Sequence, residues 1–437
     1  MLKKILSILL VLTMVSTAVF ANGASDEKPM TEDGKVKVTM WTISTGQELE
    51  IMQELAQTYN GEHPEVSVEV VQVVGSETDT SKLMAAVVGG VGPDIYFLDR
   101  FTVAQRASEG VLMDLTPLVE DRAYLEDNYM PAAWREVVYE GEIYALPFDT
   151  DARMIYYNKD LIREAGFDPA EFDMANGPMD IDRFKEIAMA LNVTDESGAY
   201  TQIGFSPFVD QGWHYTWGYV HDADFYDEKA HQMTLTEDKG VMEGFQFMYD
   251  WAKSMDPQKL ATWKSTYYPQ DMSPANHPFV TKKCAMVCSG PWRMDTINRY
   301  GSDIDYGVTY LPTPDKSVKS WAGGWCVVIP EGSKVPEEAF AFMNYFAGEP
   351  GQTKYMNEGN HLVTWMPSME NGDFSGSNAH LAPFKALLAE ADSRPPLAIG
   401  AFIWDQLTVA QDKMALNEST PAEALAEAQE LINQRLN

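Results

Sequence analysis

Strand and helix patterns alternate through the first hundred residues, and this alternation constrains the fold more than any other feature of the sequence. Apolar residues alternate or run together at 36–41, 66–74 and 94–98, as in buried strands, and recur at helical spacing at 48–60 and 81–88. A strand–helix–strand–helix–strand order predicts a parallel sheet with right-handed crossovers. The sequence therefore predicts an α/β fold.

The length of the chain favours two lobes. It has 437 residues, 45% of them hydrophobic, whereas a single core rarely grows beyond about 250–300 residues. From about Glu140 the pattern changes to short strands and aromatic-rich segments, and no low-complexity linker separates the two parts. We therefore predict two α/β lobes that are joined by several short crossings of the chain.

The N-terminus has the pattern of a secretory signal peptide. Two lysines precede an apolar run at 5–15, and Val19 and Ala21 fit positions −3 and −1 of a cleavage site. The alternative, a membrane anchor, is disfavoured because the run is shorter than the ~20 residues that span a bilayer. We predict a signal peptide at 1–21, a polar spacer at 22–34 and a periplasmic protein. It should not be a lipoprotein, because no cysteine lies near the cleavage site.

The charge of the chain limits its partners. With 65 acidic and 32 basic side chains the net charge is −33, and such a field repels nucleic acid phosphates and anionic lipid surfaces. We expect no nucleic acid partner, and a ligand that is neutral or cationic or that meets a local patch whose charge differs from the total.

The cysteines do not form a disulfide scaffold, because there are only three of them. Cys284 and Cys288 belong to one predicted strand, which would separate their α-carbons by about 13 Å, too far for a bridge. Buried free thiols are the preferred interpretation. A bridge from Cys326 to one of the other two remains an alternative.

Motifs for catalysis or cofactor binding are missing from the sequence. It has no phosphate-binding loop, no dinucleotide fingerprint, no H-E-x-x-H and no G-x-S-x-G. His214, His221 and His231 share an acidic, aromatic segment, but their spacing fits no known ligand pattern. We predict neither a metal nor a cofactor.

Aromatic residues next to carboxylates favour sugar binding. The chain has eleven Trp and 11% aromatic residues, several of them beside Asp or Glu in predicted loops. A sugar ring stacks on an indole face, while carboxylates, amides and guanidinium groups bond its hydroxyls.

Seven segments together resemble the extracellular solute-binding proteins of ABC importers, in particular the family-1 sugar binders related to maltose-binding protein. The segments occur in the family's order over nearly all of the mature chain. They are VTMW, GPDIYFLDRF with EGVLMDLTPLV, IYALPFDTDARMIYYNKDL, AMVCSGPW, DYGVTYLPTP, GGWCVVIPEGS with PEEAFAFMNYFAG, and STPAEALAEAQELI.

The resemblance implies the two-lobed, type II periplasmic-binding fold, in which each lobe is a mixed sheet flanked by helices and the hinge has several crossings. Lobe one would comprise 35–148 and 306–348, and lobe two 149–305 and 349–437. The implied function is capture of a carbohydrate in the cleft by hinge closure and its delivery to the permease subunits of an ABC transporter. The resemblance implies a monomer that catalyses no reaction.

The resemblance also implies site residues. Trp213 and Trp292 would be stacking platforms, with Phe402 or Trp404 as a third. Acidic and basic residues would bond the hydroxyls, and the Gly-Gly turn before Trp325 would let the backbone approach the ligand. The full set of expected ligand-binding residues is Glu48, Asp99, Arg100, Asp149, Asp151, Trp213, Trp292, Gly324, Trp325, Arg394, Phe402 and Trp404.

Two rival interpretations remain at this stage. A secreted carbohydrate-active enzyme would need two carboxylates with divergent pKa values, and the spacing of acids identifies no such pair. The same fold could instead bind a non-sugar solute, or a metal or another cation. Related ferric binders use adjacent tyrosines. The chain has such pairs at Tyr156-Tyr157 and Tyr267-Tyr268.

Overall fold

The computed structural model describes residues 28–75, 80–270, 272–375 and 379–436. The predicted signal peptide and the first part of the polar spacer lie outside the described residues. The remaining part of the spacer is tied to the protein, because Lys28 Nζ lies 2.6 Å from Glu338 Oε1 and Met30 forms a β-bridge with Val36.

The first sheet has five strands. Its first three strands in the chain pair in parallel, as the alternating pattern predicts. Trp325–Val328 joins them in antiparallel orientation, and Leu146–Pro147, which is antiparallel to Trp325–Val328, runs parallel to the first three. The order across the sheet is Val66–Gln72, Val36–Thr42, Ile95–Asp99, Trp325–Val328 and Leu146–Pro147.

Burial explains why these segments adopt this arrangement. Val38 and Met40 are fully buried on one face of the strand Val36–Thr42. The helix Gly46–Glu62 follows, and its buried residues recur at helical spacing along one side, which packs on the sheet. These residues are Ile51, Met52, Leu55, Ala56 and Tyr59.

The second sheet is formed around the strand Met154–Asn158. Met286–Ser289 and Tyr306–Thr309 pair with it on its two sides, both antiparallel. Parallel bridges from Ile203 and Asp210 extend the outer edge of this sheet, so that it is mixed as well. The division at residue 306, derived from the sequence, groups Tyr306–Thr309 with the first lobe, whereas its hydrogen bonds run to the second sheet.

Two segments of chain pass between the sheets and form short strand pairs on the way. The segment 148–153 runs from the first sheet to the second, and its strand Asp149–Thr150 pairs with Leu362–Val363. The segment 310–324 returns to the first sheet, and its strand Ser320–Ala322 pairs with Ala391–Ser393. We call 148–153 and 310–324 the crossing segments.

Three further strand pairs are hairpins at the surface of the fold. They are Val138–Tyr139 with Glu142–Ile143, Val193–Thr194 with Tyr200–Gln202, and Tyr226–Asp227 with Gln232–Met233.

Helices cover both sheets. Besides Gly46–Glu62, the described residues form the α-helices Ser81–Val88, Val103–Ser108, Arg122–Asn128, Pro131–Val137, Lys159–Glu164, Ile181–Ala190, His214–Val220, Lys239–Ser254, Pro257–Tyr267, Arg293–Tyr300, Pro336–Ala347, Glu349–Gly359, Met366–Asn371, Leu381–Leu387, Gly400–Ala415 and Pro421–Leu436. Short 3-10 turns lie at Arg100–Thr102, Thr116–Leu118, Pro169–Phe172, Met174–Asn176, Pro274–Asn276 and Leu388–Glu390.

The last helix begins with the predicted capping box. The Thr420 backbone N–H donates to Glu423 Oε2 at 3.0 Å, and the Glu423 N–H donates to Thr420 Oγ1 at 3.4 Å. Each side chain thereby satisfies a backbone donor of the other residue.

All three cysteines are buried free thiols, which confirms the preferred interpretation and rejects the Cys326 bridge. Within the described ranges, no helix is both long and apolar enough to cross a membrane.

Candidate ligand-binding site

The crossing segments bring polar and aromatic side chains to one place between the two sheets. Asp149, Asp151 and Arg153 come from the first segment, and Trp321 and Gly324 come from the second. They line an inner cavity of about 220 Å³. Its other lining residues are Ile43, Ser44, Thr45, Glu48, Asp99, Gln211, Trp292, Trp325, His361 and Arg394.

Both arginines of the inner cavity are engaged by buried carboxylates. Arg394 Nη2 lies 2.9 Å from Asp99 Oδ1. Arg153 forms an ion pair with Asp151 and also donates to Gln211 Oε1 at 3.0 Å. The guanidinium charges are therefore balanced within the protein, and a ligand meets an environment of polar groups without excess positive charge.

A third acidic residue of the inner cavity is held by the backbone. Asp149 Oδ1 accepts a 2.6 Å hydrogen bond from the Trp325 N–H. Burial raises the pKa of Asp149 to about 6, although the nearby positive charges of His361 and Arg100 lower it. Asp149 is therefore mostly ionised at pH 7 and can accept hydrogen bonds from hydroxyl groups.

Indole rings form the apolar part of the inner cavity. Trp321 is buried beneath the Arg153 guanidinium, whose Cζ lies 3.7 Å from the ring centroid. Trp325 is half-buried and stacks on Phe97 with centroids 5.1 Å apart and planes 6° apart. Trp292 is also half-buried. Partly exposed rings beside carboxylates are what a sugar ring requires for stacking and hydroxyl bonding.

Gly324 has a backbone conformation that the site requires. Its φ is +139°, and a Cβ at this position would overlap the Asp149 carbonyl oxygen. Only glycine allows the two crossing segments to approach this closely.

A larger outer cavity of about 770 Å³ adjoins the inner one. The two cavities share the lining residues Ile43, Thr45, Glu48 and Trp292 and are therefore neighbours, and we call them together the cleft. The other lining residues of the outer cavity are Gly46, Gln47, Phe208, Asp210, Trp213, Lys264, Tyr268, Pro269, Gln270, Met272, Pro274, His277, Arg293, Asp295, Thr296, Arg299, Tyr300, Trp404, Asp405 and Thr408.

Two tryptophans meet at one wall of the outer cavity. Trp213 and Trp404 pack edge to face, with ring centroids 5.3 Å apart. Asp295, nearby in the same cavity, has a pKa of about 6, because burial raises it above the ordinary value of an aspartate. The outer cavity thus repeats the combination of indole rings and carboxylates that the inner cavity shows.

The sequence profile of the bacterial extracellular solute-binding proteins matches residues 44–353, which is more than half of the chain and includes both crossing segments. The chain belongs to this family. The match confirms the family that the sequence motifs indicated, and solute binding outside the cytoplasm is the function of that family.

The relatives of this solute-binding protein include sugar binders. A maltotriose-binding protein of Pyrococcus abyssi is 24% identical over 74% of this chain, although the alignment covers only 65% of that protein. An arabinooligosaccharide-binding protein of Bacillus subtilis is 25% identical over 80% of this chain and 78% of its own length.

The fold of the solute-binding protein matches that of a solved structure, CpMnBP1 with mannobiose bound. The TM-score is 0.79 at 23% identity, covering 90% of this chain and 98% of that one. The likeness confirms the predicted fold class, a two-lobed α/β protein of the type II periplasmic-binding kind.

Most of the predicted site residues line the cleft of the solute-binding protein. Those at the inner cavity are Glu48, Asp99, Asp149, Asp151, Trp292, Gly324, Trp325 and Arg394, and those at the outer cavity include Trp213 and Trp404. Their common place in one cleft is a structural finding, whereas contact of each residue with a ligand stays a prediction.

Arg100 and Phe402 lie elsewhere. The Arg100 guanidinium is buried and donates to Glu136 Oε2 at 2.6 Å, to the Gly323 carbonyl at 2.8 Å and to the Asp149 carbonyl. It holds the crossing segments together rather than facing either cavity. Phe402 lies under the Arg435 guanidinium, whose Cζ is 4.5 Å from the ring centroid, so that of Phe402 and Trp404 it is Trp404 that lines the cleft.

Seven lining residues of the inner cavity were not predicted from the sequence, namely Ile43, Ser44, Thr45, Arg153, Gln211, Trp321 and His361. Arg153 and Trp321 lie on the crossing segments, within four residues of predicted site residues, and Gln211 precedes Trp213 by two positions. Proximity to those residues was therefore an available signal. His361 belongs to none of the seven segments that resemble the family, and only the folding of the chain brings it to the cavity.

Several of the residues considered for cation binding have partners within the protein. Tyr156 donates its hydroxyl to the Gly290 carbonyl at 2.9 Å, whereas Tyr157 stacks on Phe172. His214 packs against Trp404, and His221 contacts the Trp217 carbonyl. Over the part of the chain that the structure describes, no group of three His, Cys, Asp or Glu side chains is placed to hold a metal ion.

Proposed function

We propose that the protein captures a neutral sugar or oligosaccharide in the cleft between its lobes and delivers it to the membrane permease of an ABC transporter. One observation carries the proposal. The indole rings of Trp292, Trp321 and Trp325 and the carboxylates of Glu48 and Asp149 surround a single cavity of about 220 Å³. A ring with two apolar faces and a rim of hydroxyls matches such a cavity.

The size of the whole cleft favours a ligand with more than one ring. The inner cavity opens into the 770 Å³ outer cavity, where Trp213 and Trp404 supply further indole surface. The names of the relatives support this proposal, because they bind maltotriose and arabinooligosaccharides and the similar solved structure holds mannobiose.

The proposed capture requires two lobes that close. We assign lobe one to 35–148 and 306–348 and lobe two to 149–305 and 349–437, except that Tyr306–Thr309 moves to lobe two with its sheet. On this assignment Glu50 and Arg299, whose side chains lie 3.0 Å apart, form an ion pair across the cleft opening. The crossing segments would act as the hinge.

Calorimetric titration tests the proposal. The mature chain, beginning at Asn22, is titrated with mannobiose, maltotriose and arabinotriose after a thermal-shift screen of the same sugars. A ligand that binds only the folded state raises the melting temperature as its concentration increases. Binding of at least one of these sugars supports the proposal, and failure of a broad panel of neutral mono- and oligosaccharides to bind would reject it.

The proposal includes three further properties of the protein. It breaks no covalent bond in its ligand, it is a monomer, and it is exported with cleavage after Ala21. Incubation with oligosaccharides followed by chromatography of the products tests the first property. Light scattering tests the second. Mass spectrometry of the exported form tests the third, and a retained N-terminus or an attached acyl chain would contradict it.

A further inference from the structure

His361 occupies an unusual place in the cleft. It follows Asn360, whose left-handed backbone ends the helix Glu349–Gly359, and it precedes the strand Leu362–Val363 that pairs with the crossing strand at Asp149. Its ring is buried and lines the inner cavity. The pairing of Val363 with Asp149 therefore fixes the imidazole beside the proposed sugar.

The imidazole contacts groups from different parts of the cleft. Nε2 lies 3.3 Å from Glu48 Oε1, close enough for an ion pair, although the ring N–H is not aligned for a straight hydrogen bond. Nδ1 lies 4.0 Å from Asp149 Oδ2. The ring also stacks on Tyr355 at 4.3 Å and lies nearly parallel to Trp292 at 6.4 Å.

We propose that His361 is a positioning residue, which as an imidazolium holds the Glu48 carboxylate toward the bound sugar and thereby makes sugar affinity depend on pH. The inference rests on the proposed function. Glu48 needs such a partner, because its side chain lies at the start of the first helix and is 30% exposed. An ion pair restricts the rotamers of a partly exposed glutamate and directs its free oxygen.

The surroundings of His361 favour its charged form near neutral pH. Burial lowers the pKa of His361, but the contact with Glu48 and the negative charges of Glu48, Asp149 and Asp295 outweigh this and raise the pKa above its ordinary value. The Tyr355 hydroxyl is a further titratable group whose ring packs on His361.

Two arginines affect the pKa values of the carboxylates in this cluster. Arg100 lowers the pKa of Asp149, and Arg299 lowers the pKa of Asp295, in each case against a larger effect of burial. When the pH rises through the raised pKa of His361, the imidazolium loses its proton and Glu48 loses its partner. Sugar affinity should therefore fall on the alkaline side of neutrality.

The experiment measures the dissociation constant between pH 6.5 and 9 for whichever of mannobiose, maltotriose and arabinotriose binds the unaltered protein. We expect affinity to fall about tenfold over this range, as for loss of one charge-assisted contact.

His361→Gln and Glu48→Gln should each bind about tenfold more weakly at pH 6.5 and show a flat profile. The double variant should bind the sugar no more weakly than either single variant, because the two residues act as one unit. The control His231→Gln, at an exposed histidine that lines neither cavity, should keep the parent profile.

The outcomes separate the two proposals. If no sugar binds the parent protein, the proposed function fails. If sugar binds but His361→Gln retains the affinity and the pH dependence of the parent, the positioning role is rejected while the function stands. Thermal unfolding verifies that each variant is folded, and if His361→Gln does not fold, a parent-like pH profile of Glu48→Gln would reject the role in its place.

Discussion

Arg394 Nη2 lies 2.9 Å from Asp99 Oδ1 and so joins two residues that are 295 positions apart in the sequence. Both side chains are buried, and the Arg394 guanidinium also lies over the Phe101 ring, with its Cζ 4.1 Å from the centroid. The pair connects the end of a first-sheet strand to the strand that accompanies the second crossing segment. Both residues line the inner cavity, so that the pair forms part of its wall.

Removal of one partner of this pair should destabilise the protein strongly. Arg394→Met leaves the Asp99 carboxylate buried without its counter-charge, which typically costs about 3–5 kcal/mol. The double variant Asp99→Asn, Arg394→Met should recover part of this loss. Urea unfolding measures both effects. As a control, Lys239→Met breaks the exposed pair with Glu243 and should cost less than about 1 kcal/mol, so an equal loss in the two variants would contradict the argument.

Truncation of the cleft tryptophans should reduce affinity more than stability. Trp292→Ala and Trp213→Ala each remove a half-buried indole from the cleft, and loss of such an anchor commonly costs about 2 kcal/mol, or roughly thirtyfold in affinity. Trp251→Ala is the control, because Trp251 is fully buried in the core and its loss should cost roughly 3–5 kcal/mol of stability. Calorimetry and denaturant unfolding distinguish the two effects. A cleft variant that binds normally but unfolds easily would show that its tryptophan belongs to the core.

Gly324→Ala should disturb the crossing segments through a steric overlap. The new Cβ would meet the Asp149 carbonyl oxygen, in addition to the strain of a positive φ, which costs about 1–3 kcal/mol. Gly332→Ala is the matched control, since Gly332 also has a positive φ of +90° but has open space around its Cβ position. We expect the Gly324 variant to lose clearly more stability and, in addition, sugar affinity. If thermal unfolding showed equal losses of stability in the two variants, the overlap at residue 324 would be relieved without an energetic cost.

Asp149 should make the stability of the protein depend on pH in an unusual direction. Its pKa is about 6 in the folded protein and about 3.9 when unfolded, so the folded state binds the proton more strongly. The stabilisation by this proton is complete below about pH 4 and is lost as the pH rises through 6. Asp149→Asn should therefore flatten the decline of stability between pH 4 and 7 in urea titrations. Glu32→Gln, at an exposed glutamate, should leave this decline of stability unchanged. If Asp149→Asn also left the decline unchanged, the raised pKa of Asp149 would be refuted.

The balanced charges of the inner cavity predict discrimination against acidic sugars. Arg153 and Arg394 are both engaged by carboxylates, while Glu48 and Asp149 share the single imidazole of His361. A uronic acid disaccharide should bind at least about tenfold more weakly than its neutral counterpart, because its carboxylate meets like charges. Calorimetry at two salt concentrations measures this, and tighter binding of the acidic sugar would contradict the charge assignment.

The sequence was sufficient to predict elements whose signals are local. The buried alternation in Val36–Thr42, the helical stripe of Gly46–Glu62 and the capping box at Thr420 depend on neighbours within a few residues, and each has the expected structure. Helix geometry also explains the outcome for Phe402 and Trp404, because side chains two positions apart point about 200° away from each other. Only one of them was able to face the cleft.

The parts of the site that escaped prediction depend on long-range contacts. His361 reaches the inner cavity because Val363 pairs with Asp149, more than two hundred positions earlier, and no local pattern encodes that pairing. The resemblance of the segment D-R-F to the family's motif predicted that Arg100 binds ligand, but Arg100 donates to carbonyl groups of both crossing segments. The role of Arg100 therefore depends on contacts with residues that are distant in the sequence.

The connectivity of the first sheet has a consequence for how the chain is made. The strand Trp325–Val328 inserts between Ile95–Asp99 and Leu146–Pro147, so that the sheet remains divided until three quarters of the polypeptide has been synthesised. Contacts this distant in sequence form slowly, since a long loop must close before any of them can form. A nascent chain of this connectivity stays without its completed first sheet while it leaves the ribosome. The first sheet therefore gains its full set of hydrogen bonds only after most of the chain has been made.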